Sequence, residues 1–433
     1  MRSIHLACAV FAGLLLLAGC MDRPAKAVAG GDTVVLAADP FEAARVLMAD
    51  VPCEAPVREG TSGNLLVLAS MKYEEGGTGD IDVRGPLLAT TRSLHDVSDP
   101  LHPVQTADFE ALEIAASGDV KFLSDNETIV TGTSGGILLI DVRDPAAPVV
   151  EDEWSFEEFS GVNLPGGSVF LNAHMLGTAK IGGSDWVFLA PNSNSGIWIL
   201  RVDGEPGSRQ LTYVTQTLPA EGGPLGPHDL FVHQDPFTSQ WLLYSADGFH
   251  GWTVFDLADP TSPVPIGGLV APQPGYTHTI QAARFGERRL VVTIAEVGEN
   301  LLQVFDATIL QAPVLLATWQ VAPLSTTPQH NINIVGDHLY VAHYGYGMYV
   351  FDLTTVPGLP LAGVASFDPV AHYDPVPGGT PYVAGIGGFE AVYDVVVQDG
   401  LLFVSGFSAP LEGIDVIGFG CIAPGDQALR SVG

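Results

Sequence analysis

The chain has 433 residues, 47% of them apolar and only 15% charged, enough to bury a large core. Its 49 acidic side chains outnumber 17 basic ones. The net charge of −32 argues against nucleic acid as a partner, because phosphate binding needs a basic surface. The 50 glycines and 32 prolines suit many tight turns between short strands, and no long stretch repeats at the helical period.

Residues 1–19 read as an export signal. Met1-Arg2-Ser3 gives a positive start, and Ile4 to Ala18 is an apolar run too short to span a membrane as a stable helix. Leu17-Ala18-Gly19-Cys20 resembles a bacterial lipobox, in which a cysteine after small residues is lipidated and becomes the new N-terminus. The resemblance implies a lipid anchor on Cys20. Met21, where an Asp would retain the protein at the inner membrane, implies sorting to the outer membrane. Residues 20–50 read as a tether and N-terminal extension, with a short helix over Pro40–Ala49. Cys8 leaves with the signal, so Cys53 and Cys421 remain, one near each end of the folded part. An exported compartment permits a disulfide between them that closes the fold; the alternative is two separate buried thiols.

Between residues 51 and 425 one phrase recurs: a short apolar strand, Asp-x-x-Asp-Pro, then x-x-Pro and another apolar run. It stands at Asp96-Val-Ser-Asp99-Pro100, Asp141-Val-Arg-Asp144-Pro145 and Asp256-Leu-Ala-Asp259-Pro260, and in weaker form after Asp306 and Asp352. Each copy reads as four strands with alternating apolar residues. The copies begin near Leu65, Val120, His174, His228, His278, His330 and Tyr393. In the copy from His330, the fourth strand is expected at Leu361–Phe367. A four-stranded unit in seven copies predicts an all-β propeller of seven blades, with residues 426–433 as a tail. The repeated Asp has a structural reading, bonding backbone N–H groups of the turn.

The phrase resembles the LVIVD repeat, found in surface propellers of bacteria and archaea. The resemblance covers about Leu65 to Cys421 and departs at Asp203 and Asp415, where no Asp-Pro follows. It implies a propeller fold and an exported location, and no single activity.

A quieter repeat opens the first strand of four successive copies: His174, His228, His278 and His330. Gly118 and Tyr393 stand at that step in the flanking copies. The first strand of a blade is innermost, so these residues fall at one mouth of the axial channel. Regular antiparallel pairing sets His330 beside His343, His228 beside Asp247, His278 beside Glu296 and His174 near Asn192. Imidazoles so placed could bind iron or zinc, with the neighbouring groups orienting the rings. Four histidines around a propeller axis also hold iron in carotenoid-cleaving oxygenases, an analogy of architecture alone. The competing reading is structural, each ring bonding the loop of the next blade.

The run Glu151–Glu158 reads as a solvated loop. Phe249, Trp252, Tyr344 and Tyr346 read as packing between blades or as an aromatic rim for a ligand. No Gly-x-Ser-x-Gly, phosphate-binding loop or Cys-x-x-Cys occurs. Two functions follow as expectations. One is a lipid-anchored, monomeric binding protein at the bacterial surface, with a protein or small-molecule ligand. The other is a metal-dependent oxygenase or hydrolase built on the histidine row. A purely structural envelope protein is a third.

Overall fold

The structure, a computed structural model, describes residues 65–73, 77–156, 173–191, 196–218, 226–270, 275–298, 301–320, 329–356, 365–366, 368–375, 392–407, 411 and 413–419. Cys20, Cys53, Cys421, Asn192 and the segment Pro40–Ala49 lie outside them. Among the described residues, no helix is long and apolar enough to cross a membrane.

Seven sheets, each with four antiparallel strands, follow one another around the ring. Blade 1 has its innermost strand at Ile81–Arg84, blade 2 at Val120–Phe122, blade 3 at Met175–Ile181 and blade 4 at Asp229–Gln234. Blades 5, 6 and 7 follow with Gly275–Phe285, Ile332–Val335 and Val392–Gln398. Each innermost strand touches the next, and that of blade 7 touches that of blade 1, so the seven form a closed ring. The protein is a seven-bladed β-propeller.

The core lies between blades. Seven apolar clusters each join two neighbouring blades, and the seventh joins blade 7 to blade 1. Val291 packs toward blade 4 and Val292 toward blade 6. A strand buried on both faces has no polar side, which is why runs such as Leu339-Tyr-Val-Ala342 read as continuously apolar.

Two strands fall elsewhere than the repeat predicts. Leu65–Lys72 does not open blade 1; it pairs with Gly413–Phe419 as the outermost strand of blade 7, Leu65 opposite Phe419 and Lys72 opposite Gly413. Among the described residues the last repeat has three strands of its own, and Leu65–Lys72 supplies the fourth. The outer strand of blade 6 is Ala371–Tyr373. Ala365–Ser366 instead runs parallel to Ala317–Thr318 on the outer edge of blade 5. The turn after Asp352 coils into the short 3₁₀ segment Leu353–Thr355.

The Asp of the phrase closes the turn after the third strand. Asp96, Asp141, Asp256, Asp306 and Asp352 each accept the backbone N–H two residues on, at 2.8–3.0 Å. In the two copies that depart from the phrase the acid is used differently. Asp203 pairs with Arg201, and buried Asp415 accepts from Ser70 of the closing strand at 2.6 Å and from Tyr373.

A second set of carboxylates sews blades together. Asp119 accepts the N–H of Val120 in its own blade at 2.7 Å and that of Leu176 in blade 3 at 2.9 Å. Asp229 reaches Ile280, Asp394 reaches Ile81 and Asp82 reaches Phe122 in the same way. Between blades 5 and 6 the Gln281 amide accepts from Ile334 N–H and donates to the Ile332 carbonyl. Each link gives a main-chain donor on the channel wall a partner it would otherwise lack.

Candidate functional site: the histidine end of the channel

The innermost strands surround a channel with a cavity of about 360 Å³. Its lining begins at Met175, Asp229, Thr279, Asn331 and Asp394, the residues just after the row, so the row stands at one end of the channel. Within the channel, burial and the nearby Asp119 and Asp394 push Asp80 well above the usual carboxylate range. Burial lowers Lys121, but Asp119, Asp82, Asp80 and Asp394 more than offset this and keep it charged.

Every row residue from blade 3 to blade 7 is the extra residue of a β-bulge. His174 N–H and Met175 both address Ala190, and His228 N–H and Asp229 both address Ala246. In blade 6, His330 N–H donates to the Ala342 carbonyl while Ala342 N–H donates to Asn331. The register of blade 5 jumps across His278, and that of blade 7 across Tyr393. A bulge turns one side chain out of the strict in-and-out alternation of a strand. Repeated around the ring, it brings five rings into a row.

The rings touch in sequence. Centroids of His174 and His228 are 4.4 Å apart, His228 and His278 4.0 Å, His278 and His330 4.4 Å, and His330 and Tyr393 3.9 Å. His228 Nδ1 lies 3.1 Å from the His278 carbonyl, and His330 Nδ1 2.9 Å from the Tyr393 carbonyl. A carbonyl only accepts, so both Nδ1 atoms carry a proton, and in a neutral ring Nε2 then does not. His228 Nε2 faces His174 Nε2 at 2.8 Å. His278 Nδ1 meets Thr279 Oγ1 at 2.8 Å, and its Nε2 stands 3.4 Å from Glu296 Oε2. The other Glu296 oxygen accepts from Tyr344 Oη at 3.0 Å.

Burial lowers the pKa of all four histidines. His278 falls to about 3, and His228 and His330 fall well below the usual imidazole value. Half-buried His174 is lowered too, with Glu296 opposing. The row is therefore neutral at physiological pH, each ring keeping one nitrogen lone pair.

Of the expected neighbours, Glu296 meets the row. Asp247 does not face His228: it accepts from Ser245 Oγ at 2.5 Å and Thr253 Oγ1 at 2.6 Å, and burial raises it to about 7. His343 lies edge-on to Trp319, Tyr346 and Tyr349, on the side of blade 6 that faces blade 5. The cause is the bulge, which moves His228 and His330 one place out of the regular pairing. Gly118 interrupts the row for a backbone reason: its φ is +72°, and a Cβ there would stand 2.3 Å from the Ala173 carbonyl oxygen.

No family model matches the chain. No curated protein matches it either. Among solved structures it is similar to the crystal structure of BamB from Moraxella catarrhalis, with 12% identity over 78% of this chain and 83% of that one, at a TM-score of 0.43. At that score the likeness carries no argument, and the seven-bladed fold rests on the chain's own sheets.

An aromatic collar surrounds the row, which sequence reasoning only partly foresees. Tyr276 stands perpendicular to His228 with Phe249 against it, and Tyr344 lies 5.0 Å from His330. Phe407 lies 5.8 Å from Tyr393. Trp252, by contrast, is buried between blades 4 and 5 against Phe305. Phe249 and Phe407 are 39% and 50% exposed.

Proposed function

We propose that this protein is an exported, lipid-anchored β-propeller of the bacterial envelope that acts as a binding protein. The lipobox at Leu17–Cys20 and the LVIVD-like phrase support the address: processing at Cys20, a tether, and an outer-membrane location with the propeller held at the surface. The observation that carries the binding role is the pair of exposed rings, Phe249 and Phe407, above a polar mouth within a stapled ring. Aromatic side chains are enriched at the cores of protein interfaces, and a rigid scaffold lowers the entropy cost of binding.

Two measurements test this reading. Radiolabelled palmitate is expected to enter the wild-type protein and not Cys20→Ser, with the wild type in the outer-membrane fraction; an unlabelled soluble protein overturns the anchor. A photo-crosslinking residue at position 249 or 407 is expected to form adducts in intact cells, and one at exposed Val104, on the outer edge of blade 1, is not. Adducts at position 104 alone overturn the mouth as the binding face.

A further inference from the structure

We propose that the histidine row binds one divalent first-row transition-metal ion through His174, His228, His278 and Glu296. Ligand atoms of His228, His278 and Glu296 already lie within 4.8 Å of one another, and His174 Nε2 stands outside that trio, 2.8 Å from His228 Nε2. Ligand bonds of about 2.0–2.2 Å are reached by side-chain rotation of the trio, with His174 turning in beside His228.

Three features separate this cluster from a chance meeting of polar groups. The first is the tautomer. His228 Nδ1–H donates to the His278 carbonyl, so Nε2 presents a lone pair to the cluster, as metal-ligating histidines do. The second is orientation: Tyr344 holds one Glu296 oxygen and leaves the other toward His278. The third is construction. A bulge at the same step of blades 3, 4 and 5 sets the three rings side by side, and bulges favour sites where a side chain must be re-aimed. Three imidazoles and one carboxylate suit zinc, iron, cobalt, nickel or copper, and not calcium or magnesium, which seek oxygen.

The test uses the full-length chain, purified without a histidine tag, stripped with chelator and titrated with zinc or cobalt. The expected result is one equivalent of tightly bound metal, a tetrahedral cobalt absorption spectrum, and a zinc-edge X-ray absorption signature of imidazole ligands. Glu296→Gln is expected to weaken zinc at least 10-fold, and His228→Gln with His278→Gln to abolish stoichiometric binding. His343→Gln, a buried histidine outside the cluster, is expected to bind as wild type. If the double variant does not fold, the wild-type X-ray spectrum and the partly exposed His174→Gln decide. The inference is overturned if folded wild type takes up less than about a tenth of an equivalent. It is also overturned if the variants bind as tightly as wild type, or if the zinc shell holds oxygen alone.

Discussion

Asp119 leaves its own blade to accept the backbone N–H of Leu176, 2.9 Å away in the next one. The same carboxylate holds Val120 N–H at 2.7 Å and Lys121 Nζ at 2.5 Å, and it is fully buried. Asp119→Ala therefore strands two backbone donors and a cation on the channel wall. The expected loss is about 3 kcal/mol in urea denaturation, with Asp119→Asn intermediate because one acceptor oxygen survives. A loss below about 0.5 kcal/mol means that the link between blades is not a source of stability.

Closure of the ring rests on Leu65–Lys72. A chain starting at Gly77 leaves Gly413–Phe419 as an open edge above Ile414, Val416 and Ile417, which are otherwise fully buried. That chain is expected to aggregate, and a synthetic peptide of residues 65–72 to restore a monomer with a cooperative thermal transition. A truncated chain that stays monodisperse and melts at the wild-type temperature contradicts this role for the strand.

Acid should unfold the protein through its buried histidines, including those away from the row. Burial lowers His95 and His233 to about 4 and His343 to about 3. A folded pKa below the unfolded value of about 6.5 gives stability that is complete above pH 6.5 and lost as pH falls through the folded pKa. For His343 alone the loss by pH 4 is about 3 kcal/mol. His343→Phe, which keeps a ring among Trp319, Tyr346 and Tyr349, is expected to flatten the decline of stability between pH 6.5 and 4. An unchanged slope shows that His343 takes up no more protons on unfolding than its replacement.

Two glycines make a controlled pair. Both have positive φ, +72° at Gly118 and +55° at Gly85, but only Gly118 faces backbone where a Cβ would stand. Gly85→Ala is expected to cost about 1 kcal/mol from backbone strain, and Gly118→Ala at least about 2 kcal/mol more. Equal costs in a denaturant series argue against the close contact with Ala173.

The blade count and the members of the row were legible because the phrase spaces copies evenly, so residues at equal offsets occupy equal places. The bulge was not legible. Extending regular pairing through it places His343 and Asp247 at the row, and a one-residue insertion leaves no mark in the apolar pattern on either side. Glu296 reaches His278 despite the same shift, since its longer side chain spans the offset. Leu65–Lys72 reads like any local strand, and its partner is known only from the strand the last repeat lacks. The staples at Asp119, Asp229 and Asp394 follow the row by one residue, a coincidence visible in the sequence whose meaning depends on the neighbouring blade.

Ser70 and Asp415, which meet in blade 7, are 345 residues apart in the chain. Synthesis runs from the N-terminus, so Leu65–Lys72 has no partner until Gly413–Phe419 emerges. Until then the growing protein is an open arc with two raw edges, at blade 1 and at the newest blade. Contacts this distant close slowly, because the loop entropy is lost before any bond is gained. Ring completion is then a single late event near the end of biogenesis, and a chain released before residue 413 can never reach it.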